Sequence, residues 1–139
     1  MSIDPKTATV IVVEDNADNL FIVMDLLRED LGVRYCNGRA SGRQFFKLIE
    51  TNPQSVPDLI LLDIQIPYED GYAVLRQIRT MPALNATKVV AVTANVLPQD
   101  VERVRQAGFD GFIGKPIDAD RFPEQITRVL GGTAVWEPH

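Results

Sequence analysis

Residues 57–75 read PDLILLDIQIPYEDGYAVL, and this stretch predicts the fold class. Its first half holds the continuous apolar run LILL at residues 59–62, which is followed at once by Asp63. Continuous runs of this kind are typical of strands that are covered on both faces, as in a parallel sheet. The second half opens with Asp70 and Gly71 and then repeats apolar residues at helical spacing. We therefore predict a strand, a loop and a helix in that order.

Four other segments have the composition of strands: residues 10–13, 33–37, 89–92 and 112–113. The segment 33–37 is short and mixed in polarity, so we predict that it is an edge strand. Each of the five segments is followed by a helical repeat, which is closed near a residue typical of helix ends: Gly32, Pro53, Pro82, Gly108 and Gly131. Five strand–helix pairs predict a doubly wound α/β sheet with right-handed crossovers.

The composition agrees with a single globular domain. The chain has 139 residues, of which 45% are hydrophobic and 24% are charged, and this excludes a wholly disordered chain, a collagen and a coiled coil. We place the domain at residues 9–131, with an N-terminal tail at 1–8 and a C-terminal tail at 132–139. The second tail carries Trp136, and the sequence leaves open whether this side chain packs on the body or on a partner.

Charge and rare residues exclude several functions. The net charge of −5 argues against nucleic acid as the main partner, because binding to phosphates needs a basic face. A lone cysteine, Cys36, cannot form an internal disulfide, and the lone histidine, His139, leaves no Cys/His cluster for zinc. There is neither a membrane-length apolar run nor a signal peptide at residues 1–6. We therefore expect a cytoplasmic protein that does not bind membranes.

The polar residues that end the predicted strands indicate the chemistry. In doubly wound sheets, ligands bind beyond the carboxyl ends of the strands, and those ends carry Glu14, Asp15, Asp63, Thr93 and Lys115. Three carboxylates held close together repel one another, and oxygen ligands of this kind suit Mg²⁺. A lysine and a hydroxyl would contact phosphoryl oxygens. The set predicts electrostatic stabilisation of phosphoryl transfer to an aspartate nucleophile.

Taken singly, each of these residues has a structural interpretation. Asp15 can cap the first helix, Asp63 can be a turn residue, Thr93 a β-branched strand end and Lys115 a solvated loop residue. Their joint occurrence at four strand ends favours the functional interpretation.

Four stretches, in this order, resemble the receiver domain of two-component response regulators: VIVVEDNADNL, PDLILLDIQIPYEDGYAVL, VVAVTAN and GFIGKPI. The resemblance spans residues 9–130. It implies a flavodoxin-like sheet of five parallel strands in the order 2-1-3-4-5. It also implies that helices one and five cover one face and that helices two to four cover the other.

The resemblance assigns a role to each polar residue. Asp63 matches the phosphoacceptor, which takes a phosphoryl group from a phosphohistidine on a sensor histidine kinase or a phosphotransfer protein. The resemblance implies that Mg²⁺ is the cofactor, and the residues matching its ligands are Glu14, Asp15, Asp63 and the backbone carbonyl of Gln65. Thr93 matches the switch hydroxyl and Lys115 the lysine that contacts the phosphoryl group.

Three further features follow from the resemblance. Phe112 matches the aromatic switch, which is a tyrosine in the commonest sequences. The Lys115-Pro116 peptide bond is expected to be cis. Gln65 and Asn95 match positions that tune the lifetime of the acyl phosphate, and Tyr68 either flanks the mouth of the site or is an exposed loop residue.

The expected function is a phosphorylation-dependent switch rather than an enzyme. Phosphorylation would shift a surface made of helix four, strand five and helix five, which binds a downstream protein or a second copy of the chain. The rival interpretation is a phosphatase that forms an aspartyl phosphate, but such enzymes need a second acid where Gln65 stands. A third is a degenerate receiver that serves only for docking. No output domain follows helix five, so we expect a stand-alone receiver, and the alternative is a receiver cut from a longer protein such as a hybrid kinase.

Overall fold

The computed structural model describes residues 2–138, so the parts of the predicted tails at Met1 and His139 lie outside the described residues. The strands are β1 (Thr9–Val13), β2 (Tyr35–Arg39), β3 (Leu59–Asp63), β4 (Lys88–Thr93), β5 (Gly111–Gly114) and β6 (Trp136–Glu137). They form one parallel sheet in the order β2-β1-β3-β4-β5-β6. The predicted order 2-1-3-4-5 is confirmed, and the two-residue β6 is an addition at the edge of β5.

The helices are α1 (Ala17–Asp25), α2 (Gly42–Thr51), α3 (Gly71–Arg79), α4 (Pro98–Ala107) and α5 (Phe122–Leu130). A π-helical turn, Leu26–Asp30, continues α1. Three helices begin at a side-chain cap, which satisfies a backbone N–H group that has no partner inside the helix: Asn16 for α1, Ser41 for α2 and Asp70 for α3. Within residues 2–138, no helix is long and apolar enough to cross a membrane.

The buried side chains form one core on each face of the sheet, as the alternation of side chains along a strand requires. On β1, Val10 and Val12 belong to the core that packs against α1 and α5. Their neighbours Ile11 and Val13 belong to the core that packs against α2, α3 and α4. The distribution of helices that the resemblance implies is therefore confirmed.

The edge strand β2 lies at one edge of the sheet, as predicted, but it begins and ends two residues later than predicted. Val33 is buried, and its N–H group donates to the carbonyl of Leu27 at 2.9 Å. Gly32 before it has a φ of 71°, which closes the preceding helical turn. Val33 therefore completes the end of a helix, and the strand starts only after Arg34.

The loop between β3 and α3 is hydrogen-bonded to the start of α2. The Glu69 carboxylate accepts hydrogen bonds from the N–H groups of Gly42 and Arg43, at 2.6 and 3.2 Å, and so it caps the first turn of α2. Next to it, Tyr68 is fully exposed and has a φ of 63°, in the left-handed region that a bulky side chain rarely adopts. Of the two alternatives for Tyr68, an exposed loop residue is observed.

The C-terminal residues lie on the domain. Val135 is fully buried, and its carbonyl accepts a hydrogen bond of 2.7 Å from the N–H group of Phe112. Trp136 packs against the core on the α2–α4 face, so of the two alternatives for this side chain, packing on the body is observed. At the other end of the chain, the N–H group of Ile3 donates to the carbonyl of Leu130 at 2.8 Å.

Candidate functional site

The sheet topology brings the predicted polar residues to one edge. β1 lies between β2 and β3, and Val13 pairs with Leu62, so Glu14 and Asp63 follow neighbouring positions on adjacent strands. Asp63 in turn pairs with Val92 of β4, and Thr93 comes next. The side chains that end these strands therefore meet although their positions are far apart in the sequence.

Three carboxylates form an acidic cluster at this edge. Glu14, Asp15 and Asp63 each offer an oxygen, and these oxygens lie within 4.8 Å of one another. Glu14 is 5% exposed and Asp63 is 4% exposed, whereas Asp15 faces solvent. Octahedral Mg²⁺ holds oxygen ligands at about 2.1 Å, so opposite ligands are about 4 Å apart. Both the chemistry and the spacing of the cluster therefore fit this ion.

A lysine side chain reaches into the cluster. The Lys115 ammonium group lies 2.6 Å from Glu14 Oε1 and 2.9 Å from Asp63 Oδ2. The backbone N–H group of Lys115 donates to the carbonyl of Thr93 at 2.8 Å, which fixes the start of this side chain. The Lys115-Pro116 peptide bond is cis, as expected. Three carboxylates facing one ammonium group leave excess negative charge at the edge of the sheet.

Burial makes this charge costly. It raises the pKa of Glu14, and the nearby Asp63 carboxylate raises it further, although the hydrogen bond from Lys115 acts in the opposite direction. For Lys115, burial alone would lower the pKa of the amine, but the hydrogen bonds to Glu14 and Asp63 outweigh it and raise this pKa. Lys115 therefore stays charged, and the three carboxylates outnumber the one ammonium group that faces them.

A glutamine side chain bonds to the two donors beside the cluster. Gln65 Oε1 accepts hydrogen bonds from the Thr93 hydroxyl and from the Ala94 N–H group, both at 2.8 Å. The Gln65 backbone N–H group donates to Asp63 Oδ1 at 2.8 Å. Sequence reasoning missed this role of the side chain. The available signal was the position of a long amide two residues after Asp63, but its direction depends on the loop.

Two other predicted residues lie outside the acidic cluster. Phe112 is fully buried in the core of the α2–α4 face, two residues before Gly114, which pairs with Thr93. Asn95 is exposed, and its backbone N–H group donates to the Thr93 hydroxyl at 3.1 Å. Thr93 is thus held from two sides.

A cavity of about 280 Å³ opens next to the cluster. Glu14, Asp63 and Lys115 line it together with apolar side chains that include Ile22 of α1 and Phe122 of α5. Binding sites for drug-sized molecules range from about 300 to 1,000 Å³. This cavity lies at the lower end of that range and has room for a small inorganic group.

The profile of the response regulator receiver domain family matches residues 10–127. The chain belongs to this family. The receiver domain is 36% identical over 125 residues to the polar-differentiation response regulator DivK of Brucella ovis (strain ATCC 25840 / 63/290 / NCTC 10512). That alignment covers 90% of this chain and 98% of the relative.

Solved structures share the fold of this receiver domain. A response regulator receiver protein from Burkholderia phymatum matches it with a TM-score of 0.77 and 28% identity, covering 92% of this chain and 98% of the other. The receiver domain of the sensor histidine kinase PA1611 from Pseudomonas aeruginosa PAO1 matches with a TM-score of 0.73 and 30% identity, covering 91% and 98%. That structure contains a magnesium ion coordinated in its active-site cleft.

Proposed function

We propose that this receiver domain accepts a phosphoryl group on Asp63 and then changes the surface formed by α4, β5 and α5 for protein partners. One observation carries the proposal: the carboxylates of Glu14, Asp15 and Asp63 converge on one edge of the sheet, with the Lys115 ammonium group between two of them. The signalling unit in this proposal is residues 9–131.

In this proposal, Mg²⁺ is held by Glu14, Asp15, Asp63 and the backbone carbonyl of Gln65. When bound, a divalent ion supplies positive charge that offsets the charge of the phosphoryl oxygens. The buried acids support this assignment, because they carry more negative charge than Lys115 neutralises. The magnesium ion in the related structure from Pseudomonas aeruginosa adds support.

Asp63 acts as the nucleophile. One of its carboxylate oxygens forms a bond to phosphorus while the bond between phosphorus and the imidazole nitrogen of a donor phosphohistidine breaks, and the bonding electrons return to that nitrogen. Lys115 already lies 2.9 Å from Asp63, so it is positioned to stabilise negative charge that develops on the phosphoryl oxygens.

The donor is a sensor histidine kinase or a phosphotransfer protein. Beside the cavity, α1 exposes two large apolar side chains, Phe21 at 72% and Ile22 at 48%, and Ile22 lines the cavity. Neighbouring exposed apolar side chains favour a protein-binding surface. A cytoplasmic location and a downstream protein, rather than nucleic acid, as the target belong to the same proposal.

Phosphorylation adds nearly two negative charges at Asp63. The Thr93 hydroxyl and the Ala94 N–H group, which bond to Gln65 beside Asp63, are the donors that these oxygens would recruit. A movement of α4 on phosphorylation is supported by its limited packing, since Val104 is its one buried residue. The output is a shift between two arrangements of α4, β5 and α5. Phe112 of β5 belongs to the core on the α2–α4 face, against which α4 packs.

The test is phosphorylation by acetyl phosphate in the presence of Mg²⁺, followed by intact mass spectrometry. We expect the wild-type chain to gain one phosphoryl group and Asp63→Asn to gain none. Asp70→Asn is the matched control, because Asp70 lies in the same loop and asparagine also caps a helix. Labelling of Asp63→Asn at the wild-type rate would disprove the assignment. Sustained release of phosphate from a generic phosphomonoester would favour the phosphatase instead.

A further inference from the structure

Residues 134–138, named here the C-terminal segment, cover the edge of β5. Trp136 and Glu137 pair in parallel with Phe112 and Ile113, and the Phe112 N–H group donates to the Val135 carbonyl at 2.7 Å. Val135 is fully buried within the core on the α1–α5 face. The segment therefore takes the place that a further strand would occupy in a larger sheet.

The aromatic residue of the C-terminal segment connects β5 to α4. The guanidinium carbon of Arg105 lies 4.5 Å from the centre of the Trp136 ring, which is the geometry of a cation–π contact. In a parallel pair, residues in register point to the same face, so Trp136 lies beside Phe112 on the α2–α4 side. The indole thus covers the end of that core.

The acidic residue connects β5 to α5. Glu137 Oε1 accepts hydrogen bonds from Arg121 at 2.7 Å and from Gln125 at 2.9 Å, and Glu137 Oε2 accepts one from Arg128 at 2.8 Å. Gln125 and Arg128 lie on α5, and Arg121 immediately precedes this helix. Two arginines meet a single carboxylate here, although the chain as a whole has a net charge of −5.

The edge is shaped to fit a peptide backbone. A Cβ atom on Gly111 would lie 2.8 Å from the Val135 carbonyl oxygen, and one on Gly114 would overlap the Pro138 carbonyl. Both glycines therefore permit the close approach of an extended chain. Gly132, which precedes the segment, has a φ of 94°, a backbone conformation that favours glycine.

We propose that this edge of β5 is a docking groove for an extended peptide segment of a partner protein that carries an aliphatic, an aromatic and an acidic residue in succession. The C-terminal segment is its intramolecular occupant, and a partner must displace it. Adding a strand to a sheet edge is a general mode of peptide recognition, in which backbone hydrogen bonds give affinity and alternate side chains give specificity. The side chains of Val135, Trp136 and Glu137 define that specificity.

The displacement is feasible because β6 is short. It has two residues, and short terminal elements open at a small fraction of the cost of global unfolding. The apparent dissociation constant of a competing peptide equals its intrinsic value divided by the fraction of molecules in which the groove is open. Variants that release the C-terminal segment should therefore bind such a peptide more tightly than the wild-type chain.

The probe is a synthetic peptide with the sequence of residues 132–138, GTAVWEP, titrated by calorimetry into the full-length chain. We expect the dissociation constant of this peptide to be at least about tenfold lower for Glu137→Gln and for the double variant W136A/E137Q than for wild type. Glu124→Gln should behave as wild type. Glu124 also pairs with Arg128, at 3.0 Å, and within residues 2–138 no hydrogen bond or ion pair joins it to the C-terminal segment, so it is the matched control. Peptides with alanine for tryptophan, or glutamine for glutamate, should bind more weakly.

Hydrogen exchange at the Phe112 amide reports whether the groove has opened, because this N–H group bonds to Val135. An open double variant that fails to bind the peptide would overturn the proposal, and so would equal affinity of the wild-type chain and the double variant. Full protection of Phe112 in the double variant would show that the segment is not displaceable. The inference rests on the proposed function only in that partners use this face. The titration needs neither Mg²⁺ nor acetyl phosphate, so a failure here is distinct from a failure of phosphorylation.

Discussion

The side-chain oxygen of Gln65 accepts a hydrogen bond of 2.8 Å from the Thr93 hydroxyl. The same oxygen accepts a second hydrogen bond from the Ala94 N–H group. In the proposed function, an oxygen of a phosphoryl group on Asp63 takes these two donors. In the unphosphorylated chain, Gln65 therefore competes with the group that the site is proposed to bind, and it has to turn away before the switch is complete.

Replacement of Gln65 by alanine should tighten the binding of beryllofluoride, a non-hydrolysable mimic of the phosphoryl group. The two donors lose their internal partner, and a net hydrogen bond is worth about 0.5–1.5 kcal/mol, so the gain should be about two- to tenfold. The measurement is a fluorine NMR titration in the presence of Mg²⁺. Gln77→Ala on the exposed side of α3 is the control. Weaker binding to Gln65→Ala would contradict competition.

Replacement of Lys115 by alanine should destabilise the Mg²⁺-free chain. It leaves the buried carboxylates of Glu14 and Asp63 without their shared ammonium group. Removing one partner of a buried ion pair costs about 3–5 kcal/mol, and here we expect about 2–4 kcal/mol because Lys115 retains some exposure. Urea denaturation followed by circular dichroism measures this loss, and added Mg²⁺ should restore more stability in the variant than in wild type.

The control for this experiment is Lys88→Ala at the exposed start of β4, where a surface substitution should change the free energy of unfolding by about 0.5 kcal/mol or less. Equal losses for Lys88→Ala and Lys115→Ala would show that the ammonium group does not offset the acidic cluster.

Replacement of Tyr68 by asparagine should stabilise the chain by about 0.5–1 kcal/mol. Its φ of 63° costs a bulky L-residue about 1–2 kcal/mol, whereas asparagine tolerates this conformation, and the exposed ring loses no packing. Urea denaturation measures the gain. The control is Tyr35→Asn, an exposed tyrosine in the extended strand β2, which should give no gain. A loss of stability on Tyr68→Asn would show that the ring makes a useful contact.

Acidification should release the C-terminal segment before the rest of the domain unfolds. Hydrogen bonds from Gln125 and Arg128 hold the pKa of Glu137 below its usual value of 4.5, and Arg121 adds to this effect. A carboxyl group with a lowered pKa contributes its stability above the unfolded value, and that contribution disappears as the pH falls through the folded value. NMR titration of the Glu137 carboxyl carbon and the Phe112 amide follows both events.

In that titration, the Phe112 amide of wild type should shift with the same midpoint as the Glu137 carboxyl, below pH 4.5. Glu137→Gln has no group to titrate at this position, so its Phe112 amide should show no such step. An identical step in both proteins would mean that another group controls the segment.

Much of the fold could be predicted because its main strands are continuous apolar runs. The run 59–62 has to be buried on both faces, and a parallel sheet then brings residues such as Asp63 and Glu14 to one edge. The convergence of the polar residues is thus a consequence of topology that strand ends reveal. The segment 33–37 was less predictable, because the buried Val33 belongs to the end of the preceding helix and not to the strand.

Two features lay beyond sequence reasoning for physical reasons. The direction of the Gln65 side chain depends on the path of a loop, which residue types alone do not fix. β6 has two residues, too few for a period-two pattern. The arginines that contact it are far apart in the sequence: Arg105 lies on α4, Arg121 just before α5 and Arg128 on α5. The sequence therefore predicts residues 132–139 only as a tail, and it leaves open where Trp136 packs.

That tryptophan is the one tryptophan of the chain, and it lies between an arginine of α4 and the sheet edge. Its intrinsic fluorescence therefore reports on the edge of the sheet opposite β2. Release of the C-terminal segment would expose the indole to water and shift its emission to longer wavelength. Opening of the β5 edge can therefore be followed in real time without an added dye.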